Sequence, residues 1–120
     1  MTLRRQTLRR YEKIRKKAQY ESIFALGQVV RSRAFDLFYD QVGQGRRQAG
    51  FVVSRKVATR ATTRGRIKRR MREIFRRNKD RLAEGTHIIF RANPGVEELN
   101  FEQLENTFFQ LSERIRSRTR

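Results

Sequence analysis

Apolar residues recur at helical spacing in the last part of the chain, three or four positions apart. They form a stripe of Phe101, Leu104, Phe108, Leu111 and Ile115. Asn100 immediately precedes this stripe, and Gln103 lies three residues later in its first turn. This is the spacing of a capping box, in which each side chain accepts a hydrogen bond from the other residue's backbone N–H. The pattern therefore predicts a C-terminal helix with one face in the core.

Two earlier segments also have the period of a helix. The longer one carries a narrow apolar stripe of Ile67, Met71, Ile74 and Phe75. We expect it to start at Thr62 or Thr63 as N-cap and to end near Asn78. The shorter one covers residues 18–26 and ends at Gly27, the residue type that most often terminates a helix.

Strand patterns occupy the remaining parts of the chain. Residues 34–39 alternate, with Phe35, Leu37 and Tyr39 on one face and Asp36 and Phe38 on the other. Residues 29–30, 50–57 and 86–91 are also predicted strands, and residues 42–47 form a hairpin-like loop. The order αβββαβα predicts a single α+β domain over residues 1–120, in which a small mixed sheet of about four strands packs with three helices.

Basic side chains are concentrated in two parts of the chain. The sequence has 30 Lys+Arg and 12 Asp+Glu, a formal charge of +18. Residues 1–17 hold eight basic residues and one acidic residue, a net +7, and residues 54–79 hold twelve and one, a net +11. The rest is neutral, which indicates a scaffold with two basic segments for a polyanionic partner. We expect residues 1–17 to be a partly extended arm and residues 116–120 to be a frayed tail.

The side chains offer little support for protein-based catalysis or for a membrane function. The chain has no Cys, no signal peptide and no apolar run of the roughly 18–20 residues that span a bilayer, so we expect a cytoplasmic protein. Its one histidine, His87, lies in an apolar predicted strand without a metal-binding or paired-carboxylate motif. We expect no catalytic residue, no metal held by the protein, no small-molecule cofactor and no membrane partner.

The predicted helix that ends near residue 78 carries the strongest functional signal. Apart from Glu73, its charged positions are all basic: Arg64, Arg66, Lys68, Arg69, Arg70, Arg72, Arg76 and Arg77. A merely solvated helix face normally mixes charges of both signs, whereas uncompensated repulsion of this kind is relieved by phosphates. The excess of arginine over lysine favours bidentate phosphate contacts and stacking on bases. Nucleic acid is therefore the expected partner.

Three aromatic residues leave open whether that nucleic acid is single-stranded. Tyr20 and Phe24 lie about one helical turn apart, and Phe38 points away from its neighbours on the predicted strand. If these rings are exposed, they form a platform on which unpaired bases can stack. If they are buried, they are ordinary core residues, and the pattern alone favours neither interpretation.

Two segments of the chain match the core pattern of a known family. Residues 50–57 (GFVVSRKV) are followed by residues 64–75 (RGRIKRRMREIF), and upstream stand Lys13-Ile-Arg-Lys16 and Tyr20-x-x-x-Phe24-x-x-Gly27. These segments resemble the protein subunit of bacterial ribonuclease P, whose pattern is a strand ending in basic residues, then Arg-Asn-Arg-x-Lys-Arg and an Arg-Glu-x-Phe helix. In order and length the likeness covers nearly the whole chain.

The resemblance implies a protein that assists an RNA catalyst. In that family the RNA subunit carries the chemistry with Mg²⁺ held by RNA, and the protein binds both this RNA and the 5′ leader of precursor tRNA. The implied fold is of the ribosomal protein S5 domain 2 type, with a left-handed βαβ crossover. The residues implied to bind the leader are Lys16, Tyr20, Phe24, Phe38, Arg55 and Lys56. Those implied to face the catalytic RNA are Arg64, Arg66, Lys68, Arg69 and Arg72.

Two features depart from the family pattern. Gly65 stands where the motif has Asn, and the loop over residues 57–63 lacks the family's Gly-Asn pair and is one residue longer. Both changes concern the local geometry before the helix and leave its density of basic side chains intact. The competing interpretation is a ribosomal or other structural RNA-binding protein, or an architectural DNA-binding protein, which would need the basic helix but no cleft for a leader.

Overall fold

Residues 12–118, which the computed structural model describes, fold in the predicted order αβββαβα. The elements are α1 Lys17–Leu26, β1 Gln28–Val30, β2 Phe35–Gln41, β3 Gln48–Val52, α2 Ala61–Asn78, β4 Thr86–Ala92 and α3 Phe101–Arg118. The predicted capping box opens α3, where Asn100 and Gln103 each accept a bond from the other's backbone N–H at 2.8–2.9 Å. None of the helices in this part of the chain is long and apolar enough to cross a membrane.

The four strands form one mixed sheet in the order β1-β2-β4-β3. β2 pairs antiparallel with β1 and β4, whereas β3 pairs parallel with β4 through a crossover that contains α2. The prediction of a hairpin-like loop over residues 42–47 is therefore wrong, because β4 lies between the two strands that this loop connects. β4 suits the central position because Ile88, Ile89 and Phe90 bury apolar side chains on both faces. The left-handed sense of the crossover stays a prediction.

Helices cover both faces of the sheet. α2 and α3 pack on one face, where the rings of Phe90 and Phe108 stack with centroids 5.5 Å apart. The predicted stripe of α2 is buried there, together with Leu104, Leu111 and Ile115 of α3. α1 packs on the opposite face over a smaller cluster that contains Ile23, Phe38 and Ile89. The two faces therefore differ: the first is a closed core and the second is only partly covered.

Two boundaries differ from the prediction in the segment between β3 and α2. β3 covers residues 48–52, and the predicted extension to residue 57 is instead a turn that Ser54 closes by accepting the backbone N–H of Val57 at 3.1 Å. α2 begins at Ala61, so the predicted caps Thr62 and Thr63 lie inside its first turn. The side chain of Arg64 explains the early start, because its guanidinium donates to the carbonyls of residues 58 and 59 and fixes the loop before the helix.

The two ends of the chain are partly described. Most of the predicted basic arm, residues 1–11, lies outside the described residues, but Lys13 bridges to β3 and Glu12 pairs with Lys79 at 2.7 Å. The arm prediction places residue 17 in the extended segment, whereas Lys17 is the first residue of α1. At the other end α3 includes residues 116–118 of the tail that we expected to fray, and residues 119–120 lie outside the described part.

Replacing Gly65 by alanine should raise the free energy of unfolding by about 0.5–1 kcal/mol, because glycine is a poor residue for a helix interior. Apart from its chain neighbours and the backbone of its own helix, a Cβ at this position would meet no atom within 4 Å, so the substitution adds no clash. Urea denaturation of both proteins measures the difference. Gly50→Ala is the matched control and should destabilise, since its Cβ would lie 2.4 Å from the Tyr20 hydroxyl. A less stable Gly65→Ala protein would contradict the prediction.

Candidate RNA-binding surfaces

The first candidate surface lies on the sheet face that α1 covers. Two side chains of α1 contact this face. Gln19 donates a hydrogen bond to Gln48, and the ring of Phe24 packs against that of Phe38. β1, β3 and β4 run in one direction and β2 runs in the other. The C-terminal ends of three strands therefore lie at the same end of the sheet as the start of β2. This end of the face carries two arginines, Arg31 and Arg91, which sequence reasoning missed.

Phe38 lies at the centre of this surface. The ring of Phe24 meets it edge-on with centroids 4.8 Å apart, and the guanidinium carbons of Arg91 and Arg31 lie 4.6 and 6.0 Å from its centroid. We call the surface formed by Phe24, Phe38, Arg31 and Arg91 the aromatic cleft. Phe38 is only 8% exposed and Phe24 is 36% exposed. Both interpretations of the aromatics therefore apply, since Phe38 is core and Phe24 offers an accessible ring.

Tyr20 has a structural position beside the cleft. Its ring packs against Gly50, and its hydroxyl donates to the carbonyl of Ile14 at 3.3 Å. Burial raises the pKa of this hydroxyl, an effect that a hydrogen bond with the backbone of Phe51 partly offsets. The phenol therefore stays neutral at physiological pH, and it joins α1 to β3 and to the segment that precedes α1.

A buried carboxylate holds the two arginines of the cleft in place. Asp36 accepts hydrogen bonds from Arg31 and Arg91, both at 3.1 Å, and from the side-chain amide of Asn93 at 2.9 Å. It is only 4% exposed. One carboxylate against two guanidinium groups leaves a net positive charge beside Phe38. The signal in the sequence is an acidic residue two positions before Phe38 on the same strand face, although its partners cannot be read from local spacing.

The three basic residues predicted to flank the leader are exposed. Lys16 immediately precedes α1, and Arg55 and Lys56 lie in the turn that follows β3. β3 is the outer neighbour of β4, and Val52 pairs with Arg91 of the cleft. The turn with Arg55 and Lys56 therefore continues from the cleft side of the sheet toward the start of α2.

The second candidate surface is α2, whose five predicted RNA-facing residues do not have equal surroundings. Arg66 and Arg69 are exposed, whereas Lys68 and Arg72 are half-buried. Arg72 lies with its guanidinium carbon 5.8 Å from the ring centroid of Phe51, and Arg64 is bonded to its own loop. Arg66 and Arg69 also line a groove of about 330 Å³ between α2 and α3, together with Arg70, Glu73 and Phe101.

His87 is held beneath α1. Its Nδ1 lies 3.4 Å from a carboxylate oxygen of Asp40 and 3.4 Å from the side-chain amide of Gln19. Within residues 12–118, no group of three or more His, Asp or Glu side chains is arranged to hold a metal ion.

An accessible aromatic ring packed against a second ring that two guanidinium groups flank, on a sheet packed with an arginine-rich helix, is typical of a domain that binds single-stranded nucleic acid. The comparisons identify the class more closely. The family model described as Ribonuclease P matches residues 8–116, and the chain belongs to this family.

Individual relatives support the assignment. The ribonuclease P protein component of Pelotomaculum thermopropionicum is 31% identical over 84% of this chain and 89% of its own. That of Brevibacillus brevis is 29% identical over 91% of this chain and 86% of its own. Among solved structures, the RNase P protein from Thermotoga maritima is 29% identical and has a TM-score of 0.77, covering 86% of this chain and 96% of its own. The Staphylococcus aureus RNase P protein, at 24% identity and a TM-score of 0.74 over 87% and 94%, supports the fold.

Proposed function

We propose that this chain is the protein subunit of a bacterial ribonuclease P, a cytoplasmic ribonucleoprotein that removes the 5′ leader from precursor tRNA. The RNA subunit carries out the cleavage, and the protein supplies two RNA-binding surfaces. The observation that carries this proposal is the aromatic cleft, in which the accessible ring of Phe24 packs edge-on against Phe38 while the guanidinium groups of Arg31 and Arg91 lie over the Phe38 ring. A structural RNA-binding protein has no need for such a cleft.

The cleft recognises the leader through stacking and charge. Stacking accepts any base, since every base has a π-face, and guanidinium groups neutralise the adjacent phosphates. Asp36 holds both arginines before RNA arrives, so less side-chain entropy is lost on binding. This surface favours precursor over mature tRNA because only the precursor has a leader to bind.

α2 binds the catalytic RNA. Arg66 and Arg69 are exposed on it, and the turn with Arg55 and Lys56 lies between this helix and the cleft side of the sheet. One protein therefore reduces the repulsion between two polyanions, the RNA catalyst and its RNA substrate. We assign Mg²⁺ to the RNAs, where the added positive charge of the protein lowers the concentration required.

Reconstitution with a bacterial ribonuclease P RNA tests the proposal. Adding the protein should lower the Mg²⁺ concentration needed to cleave precursor tRNA, and the protein alone should leave the substrate intact at every Mg²⁺ concentration. An arginine peptide at equal total charge is the control for simple charge neutralisation. Cleavage by the nuclease-free protein alone would reject the division of labour, and an unchanged Mg²⁺ requirement would favour a ribosomal or other structural RNA-binding protein.

A further inference from the structure

The outer edge of β1 is covered by the basic end of α3. β1 is an edge strand; the carbonyl of Val29 within it accepts a hydrogen bond from the guanidinium group of Arg118 at 2.8 Å, and the carbonyl of Arg31, immediately after it, accepts one from Arg114 at 3.0 Å. Both of these α3 residues are exposed. Among residues 12–118, no carboxylate lies within ion-pair distance of either one.

This covered edge is continuous with the aromatic cleft. Arg31 offers its carbonyl to Arg114 while its own guanidinium binds Asp36 beside Phe38. The guanidinium groups of Arg91, Arg31, Arg114 and Arg118 thus extend from β4 past the edge of β1. Asp36 bonds Arg91 and Arg31, so it does not offset the positive charges of Arg114 and Arg118 at the β1 edge. We call the pair Arg114 and Arg118 the edge arginines.

Protection of the strand edge alone would account for only part of this arrangement. Capping an exposed edge prevents pairing with other chains, and a charged side chain is a common device for it. A guanidinium carries five N–H donors, and the bond to the backbone at Val29 or Arg31 uses one of them in each edge arginine. The remaining donors, fixed in position by that bond, suit bidentate contact with a phosphate.

We infer that the edge arginines bind the backbone phosphates of the leader beyond the nucleotides held in the aromatic cleft. The inference rests on the proposed function, since it extends the path of the same leader across β1 to the end of α3. It assigns a role in binding to Arg114 and Arg118 that depends on leader length. Short leaders end within the cleft, and longer leaders reach the edge.

The test measures affinity of the holoenzyme for precursor tRNAs with leaders of about 3 and about 12 nucleotides, because one single-strand-binding domain covers roughly 4–16. Arg114→Gln with Arg118→Gln should weaken binding of the long leader about tenfold at 0.1 M salt and leave the short one unchanged. Because this variant no longer neutralises two phosphates, the salt dependence for the long leader should become shallower by about 1.4. The matched control is Arg116→Gln on the same helix, whose guanidinium pairs with Glu113.

A double Arg→Lys variant, which keeps the charge, should retain most of the affinity for the long leader. The inference would be overturned if the double Arg→Gln variant lost affinity equally for both leader lengths, lost affinity only for the catalytic RNA, or lost no affinity at all. If the unmodified holoenzyme binds precursor and mature tRNA equally, the proposed function itself fails. If the unmodified holoenzyme prefers precursor tRNA but the double Arg→Gln variant binds as well as it does, only the proposed role of the edge arginines is rejected.

Discussion

Replacing Phe24 by alanine should weaken binding of precursor tRNA to the holoenzyme by about 1–3 kcal/mol, the value of one base stacked on one aromatic ring. Binding of mature tRNA should stay unchanged because no leader base reaches the cleft. Phe24 is the suitable position since its ring is 36% exposed and contacts Phe38 from outside. Equilibrium binding of both tRNAs over a range of protein concentrations gives the two affinities.

The control for this substitution is Leu26→Ala. Leu26 lies on the same helix, is 84% exposed, and loses an apolar side chain without touching the cleft, so it should bind both tRNAs normally. Phe38→Ala is a poor probe because the ring is buried, and its removal should cost about 3–5 kcal/mol of stability. Equal losses for precursor and mature tRNA in the Phe24→Ala protein would show that the ring supports the fold and does not stack on the leader.

Local periodicity predicted most of the elements but not how the strands are arranged. The stripe of α2 is correct to the residue, and that of α3 is correct except that Phe101 is only partly buried and Ser112 is buried as well, because burial on one helix face depends on neighbours three or four positions away. The insertion of β4 between β2 and β3 depends on residues about 50 positions apart, as in the pairing of Leu37 with Phe90. The loop over residues 42–47 therefore gave no sign that the strands it joins are separated.

The candidate site shows the same division between local and distant information. Phe24 and Phe38 could be proposed from their aromatic character, but their unequal exposure follows from the packing of α1 on the sheet. Arg31 and Arg91 were missed because Asp36 of β2 brings together one residue that follows β1 and one that lies in β4. A charge count along the chain finds dense segments, and it overlooks single arginines that tertiary structure places around one ring.

Replacing Arg66 and Arg69 together by alanine should weaken binding of the catalytic RNA on the order of 50-fold at 0.1 M salt. Each phosphate contact to a duplex contributes about 0.9 to the salt dependence of binding, so removing two should make it shallower by about 1.8. These two arginines are the cleanest probes on α2 because both are exposed, whereas Arg64 is bonded to the loop before the helix. Binding measured at several salt concentrations gives both quantities.

The matched control removes the same charge elsewhere, through Arg46→Ala and Arg116→Ala, two exposed positions outside α2. If α2 is the contact, this control should retain the salt dependence of the unmodified protein and lose far less affinity. If net charge alone drives binding, the two double variants should behave alike. Equal unfolding free energies for all three proteins would assign the difference to RNA contact, because exposed side chains contribute little to the fold. An unchanged salt dependence in the Arg66/Arg69 variant would reject direct phosphate contact by these side chains.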